Sequence, residues 1–408
     1  MSRESIPPSE IQSGILVRHL TTAELAGAVA TTLDRLSPAR ASLVSDQVCG
    51  LLRSHRPDRL LMLTAGQNRE SAEGNPLTAG DVLAIVLLPE SGDTATILHV
   101  DWVNPGAVAT ANTIAEDRRG SATVGGETVG GETVGGNGPE SERRFLPQQL
   151  GHELWQHLEK VFAAANLRFI QWATDPTTVS IENAPVENAV TPASWAGLMG
   201  FSPIGTLDYL ALDPDETGKW SGKQADAIPA NSPEPFTLQT LDHDVSDFAD
   251  AFEQLIRRTY VDSLDCPPFE QFRSVDEILA GYRSADAFAP DLWFTVSLQP
   301  QSHNAKSTPI GAIILTRHPG PSLDDPDQIN PASVVELVYM GIVPEHRGHG
   351  HGTQIMSLIA DICEQQNADR LILAVDQNNH PAITAYRRIG MHPLFCETVW
   401  GRLVNTLA

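Results

Sequence analysis

Val343 to Glu364 reads "VPEHRGHGHGTQIMSLIADICE", and its centre, Arg347 to Gly352, is the run "RGHGHG". The β-rich stretch "SVVELVYMGIV" precedes it, and Ile355, Leu358, Ile359 and Ile362 recur at helical spacing after it. The order predicted is therefore strand, turn, helix. Such a junction presents unpaired backbone N–H groups and the positive end of a helix dipole, which together bind phosphate. Glycine is needed where a Cβ would block the approach of phosphate oxygens. The dinucleotide spacing G-x-G-x-x-G is absent, as is the lysine-bearing loop of the NTPases. The pattern that fits is Arg or Gln, any two residues, Gly, any residue, then Gly or Ala, met by Arg347, Gly350 and Gly352.

Working outward, the stretch belongs to an internal repeat. "GHELWQHLEKVFAAANLRFIQWATD" (Gly151–Asp175) lies on "GTQIMSLIADICEQQNADRLILAVD" (Gly352–Asp376) without a gap: Gly meets Gly, Asn166 meets Asn367 and Asp175 meets Asp376. Each copy reads as a helix feeding a buried strand. The elements around the two copies follow one order. In the first half, "ILVRHL" is a strand, residues 21–36 and 40–54 are helices, and "RLLMLTA", "DVLAIVLLP" and "ATILHVDWV" are strands. The repeat helix, "RFIQWAT", a short helix ending in "LMGF" and "IGTLDYLAL" follow. In the second half, "FTLQTL", helices near 245–260 and 275–283, "LWFTVSL" and "PIGAIILTRH" lead to the opening stretch, and "RLILAV", a helix ending in "RIGM" and "LFCETVWGRLV" close it.

These patterns predict an α/β (α+β) chain of two tandem domains, 1–230 and 231–408, each a mixed central sheet flanked by helices, hinged in the polar stretch 215–235. Within the first domain the Gly-rich segment at about 106–145, which contains "TVGGETVGGETVGG", has no periodic apolar face and is expected to be a disordered insertion.

Composition bounds the function. With 408 residues, 41% hydrophobic and 19% charged, the chain reads as globular, and no apolar run approaches the ~20 residues that span a bilayer. Its first residues lack the apolar core of a signal peptide, so cytoplasmic residence is expected. Cys49, Cys266, Cys363 and Cys396 stand far apart with no CxxC pair, which points away from a disulfide frame or zinc cluster. A net charge of -24 disfavours nucleic acid and anionic membranes as partners and favours a cationic or amine one, although acidity also serves solubility.

With the turn goes a second element, "NNHPAITAYRRIGM", in which Asn379, Ala382, Tyr386, Gly390 and Met391 are spaced N-x-x-A-x-x-x-Y-x-x-x-G-M. On these two motifs the second half, roughly 235–407, resembles the GNAT superfamily of acyl-CoA-dependent N-acyltransferases. The first half resembles it by order of elements only. The tandem arrangement, with the run "ELVYMGIVP" (Glu336–Pro344), resembles the mycothiol synthase branch of that family.

The resemblance implies a direct transfer of an acetyl group from acetyl-CoA, a co-substrate, to a primary amine. The acceptor is a small amine or a protein amine, with no metal, no nucleic acid and no membrane involved, and the oligomeric state, monomer or homodimer, is open. It implies that the backbone of Met340, Gly341, Ile342 and Val343 pairs with the pantetheine arm and polarises the thioester. The amides of Arg347, Gly348, His349, Gly350, His351, Gly352 and Thr353 would hold the pyrophosphate, with Arg347 adding charge. It also implies Glu336 as general base and Tyr386 as general acid, against a glutamate that only pairs with a neighbour and a tyrosine that only packs. Asn379 either contacts the cofactor arm or caps its helix. His346, His349 and His351 crowd one turn, where exposed or phosphate-contacting histidines are expected rather than metal ligands. Asp265 and Cys266, in "SLDCPPF", either line the acceptor cleft or form a turn.

In the first half Arg347 falls on Leu146, Gly350 on Gln149, Gly352 on Gly151 and Tyr386 on Ala196. That half is expected to bind acyl-CoA poorly or not at all, unless Arg143 and Arg144 restore some phosphate affinity. The competing readings are a non-catalytic acyl-CoA-binding or protein-interaction module and a transferase for a longer acyl group.

Overall fold

The computed structural model describes residues 15–20, 36–53, 56–67, 81–90, 92–102, 147–176, 191–215, 219–220, 236–240, 246–284, 289–299, 307–321 and 329–405. The expected insertion at about 106–145 lies outside these residues, as do nearly all of the helix expected at 21–36 and most of the 215–235 hinge. The chain forms two compact units, one of residues 1–202 with 400–408, the other of residues 203–399.

Unit one carries strands β1 (Ile15–His19), β2 (Leu60–Gln67), β3 (Val82–Leu87), β4 (Thr94–Trp102) and β5 (Phe169–Thr174), ordered β1-β2-β3-β4-β5. The first four are antiparallel, and β5 joins β4 in parallel over Thr94–Ile97 against Phe169–Trp172. β3 is apolar on both faces because helices cover both. On one side α1 (Pro38–Arg53) sets Val44 and Val48 on Met62 and Ile85. On the other, α2 (Pro147–Ala164) turns Leu150, Leu154, Leu158 and Phe162 inward beside the short α3 (Pro192–Leu198).

Unit two carries β7 (Phe236–Thr240), β8 (Trp293–Leu298), β9 (Thr308–Pro321), β10 (Ile329–Ile342) and β11 (Arg370–Asp376), with helices α4 (Ser246–Tyr260), α5 (Val275–Ser284), α6 (His351–Gln365) and α7 (His380–Arg388). Two further strands complete it: β6 (Ser202–Leu212), and most of β12 (His392–Leu403). The order is β12-β6-β11-β10-β9-β8-β7. β6, which the order of elements places last in the first half, runs antiparallel to β11 from Leu207 to Leu212 and sends Leu210 and Leu212 into the unit two core. In return the last residues of β12 belong to unit one, where Trp400 donates to Thr174, Arg402 stacks on Trp155 and the Val404 N–H reaches Arg168 O.

The repeat read from the sequence is present in the backbone. α2 and α6 each end on an asparagine in the left-handed region, Asn166 at φ 56° and Asn367 at φ 52°, a conformation asparagine tolerates better than most side chains. The short helices α3 and α7 are each followed by a glycine at positive φ, Gly200 and Gly390.

Candidate active site

β10 and β11 are paired in parallel only from Val334–Leu337 against Arg370–Leu373. Beyond Leu337, β10 keeps its ladder to β9 as far as Ile342↔Gly311 but, among the described residues, has no strand on its other edge. A cavity of about 440 Å³ fills that divergence, between Leu337–Ile342 on one strand and Leu373–Val375 on the other. A buried edge of backbone donors and acceptors needs a partner, and the cavity is the place for one. The edge is opened by an irregularity of register between Leu337 and Tyr339.

The turn closes one end of the cavity. A single 3-10 turn over Pro344–His346 leads to Gly348 and Gly350, both at positive φ (78° and 82°), and Gly350 caps α6 with no side-chain hydrogen bond. The first amides of α6 are thus left open. A Cβ built on Gly348 or Gly350 meets nothing within 4 Å, so these glycines serve the backbone conformation and leave the approach to the amides clear rather than relieving a clash within the protein.

Arg347 is engaged differently from a phosphate-binding arginine. Its Nε donates to Ile342 O (2.8 Å), and its two terminal nitrogens donate to Asp262 O (2.9 Å) and Thr259 O (2.8 Å). The guanidinium therefore staples the end of β10 to the last turn of α4 and the loop after it. Its positive charge remains beside the turn.

Eleven of the expected site residues meet at the cavity: Met340, Gly341 and Ile342 on β10; Arg347, Gly348, Gly350, His351, Gly352 and Thr353 at the turn; Asn379 and Tyr386 on the far wall. Three stand elsewhere. Val343 is buried in the core and its N–H is taken by Ile310 O. His349 is exposed and stacks on His351 at 5.7 Å. Glu336 does not line the cavity; its carboxylate is 2.8 Å from His318 Nε2 on the neighbouring strand. Among the described residues no three His, Cys, Asp or Glu side chains are grouped so as to hold a metal.

Asn379 combines its two expected roles, since it lines the cavity and its side chain accepts the Ala382 N–H at the start of α7. Tyr386, two turns beyond Asn379, is 6% exposed, and among the described residues its hydroxyl has no hydrogen-bond partner. Burial raises its pKa, and the charge of Asp265 raises it further. The phenol is thus held protonated.

Tyr339, Thr259 and Gly311 were not singled out from the sequence, whereas Asp265 and Cys266 were expected either to line the acceptor cleft or to form a turn. Tyr339 bonds Thr259 Oγ1 (2.6 Å), stacks on Tyr260 (5.3 Å) and lines the cavity. Its packing explains Gly341, where a Cβ would stand 2.5 Å from both the Tyr339 and Thr259 oxygens. Gly311, opposite, is dictated by the Gly341 carbonyl, 2.4 Å from where a Cβ would be. Asp265 also lines the cavity, and is tied to β11 by the Asp376 N–H (3.4 Å) while the Asp376 carboxylate accepts the Cys266 N–H (3.2 Å). Asp265 is open to water on the cavity side yet enclosed by protein around it. That enclosure raises its carboxyl pKa, and the nearby Asp376 adds to it. Burial likewise pushes the Cys266 thiol up, with Asp265 and Asp376 adding to it, so it is no thiolate nucleophile.

The cavity lies within the part of the chain that comparison with known proteins matches. Residues 258–391 match the acetyltransferase (GNAT) family model. A Bacillus subtilis (strain 168) protein named as a ribosomal protein bS18 alanine N-acetyltransferase is 34% identical over 58 residues, 14% of this chain and 38% of that protein. The uncharacterized N-acetyltransferase YobR of the same organism is 34% identical over 53 residues, 13% of this chain and 22% of YobR. The matches thus span well under half of either relative's length. A crystal structure of a GCN5-related N-acetyltransferase from Sphaerobacter thermophilus superposes with a TM-score of 0.48 at 12% identity, covering 97% of each chain. These matches do not extend the resemblance to the mycothiol synthase branch. The diverging strands, the glycine turn and Tyr386 all lie within the segment that matches the acetyltransferase (GNAT) family model.

Proposed function

We propose that the protein is an acyl-CoA-dependent N-acetyltransferase, moving an acetyl group from acetyl-CoA directly to a primary amine, with the chemistry in unit two. The observation that carries this reading is the coincidence of three features on one cavity: the open amides of the glycine turn and, among the described residues, an edge of β10 that pairs with no strand and a Tyr386 hydroxyl that has no hydrogen-bond partner. The residues fit the co-substrate by chemistry. An uncapped helix start suits a pyrophosphate, and a bare strand edge suits the amides of an extended arm.

Each group then has a task. The β10 edge orients the arm and donates N–H groups toward the thioester carbonyl, where negative charge develops. The open turn anchors the far end, so binding energy there is used to position the reacting end. Tyr386 supplies a proton to the departing sulfur. The first unit is proposed to bind acyl-CoA poorly or not at all, and the acceptor to be a small or protein-borne amine.

Calorimetry with acetyl-CoA tests the reading. The intact chain should bind, and Gly350→Glu, which puts a carboxylate at the anion site and a side chain at φ 82°, should abolish binding. Equal affinity in the variant would remove the turn from the site.

A further inference from the structure

Resting on the transferase reading, a second question is which group receives the proton that the acceptor must lose. At neutral pH a primary amine is an ammonium, and only its neutral form attacks a carbonyl. The β10 carboxylate implied by the family resemblance, Glu336, is bonded to His318 and lies off the cavity. The acids that do line it, Asp262 and Asp265, come from the loop after α4. The Asp262 carbonyl is held by Arg347, whereas the Asp265 carboxylate sits close enough to Tyr386 to act on its ionisation.

The two units hold the same loop, and one residue in it differs in kind. In unit one the Asp175 carboxylate accepts the Ser37 N–H (2.8 Å) and hydroxyl (2.6 Å) just ahead of Pro38; in unit two its repeat partner Asp376 accepts the Cys266 N–H just ahead of Pro267. The bolt between loop and strand is kept in both. The residue before it is Leu36 in unit one, packed on the apolar cluster under α1, and Asp265 in unit two, on the cavity. Ala196 stands in unit one where Tyr386 stands in unit two. The unit that lost the phenol therefore lacks the carboxylate too, while keeping the aspartate whose work is structural.

We infer that Asp265 is a catalytic residue, binding the ammonium of a cationic primary amine at the acceptor end of the cavity and taking its proton. Val261 and Leu264 in the same loop, 53% and 48% exposed, provide an apolar surface beside it, so the acceptor pairs its amine with an apolar body. Asp265 removes one proton from the ammonium; the nitrogen forms its bond to the thioester carbon as the carbon–sulfur bond breaks. Tyr386 protonates the sulfur and recovers a proton from the new amide nitrogen, and the proton on Asp265 leaves to water. The order matters physically. Once Asp265 is neutral, the charge that raises the Tyr386 pKa is gone, so the phenol becomes a better acid when the sulfur needs it.

The test uses the full chain with hexylamine and 2-phenylethylamine as acceptors, following CoA release, and acetyl-CoA calorimetry in parallel. Asp265→Asn should lower kcat/KM by roughly 100- to 1,000-fold with the acetyl-CoA Kd within about twofold of the original. In the parent chain log kcat/KM should rise with pH along a limb set above the ordinary carboxylate range, and Asp265→Asn should lose that limb. The groups around it are Cys266 and Asp262 in its loop, Asp376 on β11, Tyr339 on β10, Tyr282 on α5 and Tyr386 on α7. Asp265→Glu should restore part of the rate with a displaced limb, which a merely structural role would not give. Acetyl-CoA binding with Asp265→Asn turnover unchanged overturns the inference and leaves the transferase reading intact; so does acetyl-CoA binding with neither amine acetylated. Absence of acetyl-CoA binding to the parent chain overturns both.

Discussion

Unit one and unit two share a plan and differ in what occupies the end of their paired parallel strands. In unit two the strands diverge around a cavity; in unit one the corresponding region is packed with tryptophan. Trp102, at the end of β4, meets Trp195 edge-on at 5.2 Å, and Trp155 and Trp172 both pack on Phe201. All four indoles are at most 7% exposed. Trp195 adjoins Ala196, so unit one has lost the phenol and filled the space beside it. The filling is imperfect in hydrogen bonding: among the described residues the indole N–H groups of Trp102, Trp155 and Trp195 are buried without a partner, a cost of roughly 1–3 kcal/mol each. The lesson is that the fold needs the region occupied rather than open, and only chemistry favours leaving it empty.

The comparison can be broken most severely at Tyr386. Tyr386→Phe should cut kcat by roughly 100- to 10,000-fold while acetyl-CoA affinity changes little, because it removes the proton and keeps the ring; single-turnover kinetics beside calorimetry separate the two. In unit one the matching change is Trp195→Ala, which should cost about 3–5 kcal/mol of stability in chemical denaturation and leave the acetyl-CoA Kd unaltered. A changed Kd would mean that unit one takes part in binding. Gly311→Ala pushes a methyl against the Gly341 carbonyl and should destabilise unit two by roughly 1–3 kcal/mol, since the obstacle is backbone.

The smallest effect is one of pH, and it belongs to unit one. His157 is buried 3.1 Å from His19, and burial, with the neighbouring His19 and Lys160, lowers its pKa to about 4. Its folded pKa is below its unfolded one, so the unfolded chain binds more protons in acid. Stability is therefore full above about pH 6.5 and falls as pH drops toward 4, by roughly 2 kcal/mol after allowing for partial hydration. Thermal melts across that window should show the slope, and His157→Gln should flatten it.

Much of this was legible in the sequence where local rules decide. Period-two runs and helical spacing gave nearly every strand and helix, and the ungapped repeat paired Asn166 with Asn367, which the backbone now matches in a left-handed turn. The glycine turn was legible because positive φ and an open helix start demand particular residues. What was not legible depends on which strand pairs with which. Nothing in "IGTLDYLAL" states that it runs beside β11, because its alternation suits any half-buried strand. The same holds for Glu336, whose spacing fits a base but whose side chain turns to His318, and for Arg347, whose donors are spent on three carbonyls. Side-chain direction is set by neighbours distant in sequence, which a motif does not record.

The exchange of ends has a consequence for how such a gene can change. Since β6 belongs to unit two and the residues from Trp400 complete unit one, unit two is an uninterrupted stretch whereas unit one is built from two segments that flank it in the sequence, and no single cut leaves unit one whole without unit two. A stop codon after the catalytic motifs would spare every motif residue and still take away a piece of the other unit. The unit without the motifs is thus finished only after the unit that carries them has been made, which ties the two together along one chain.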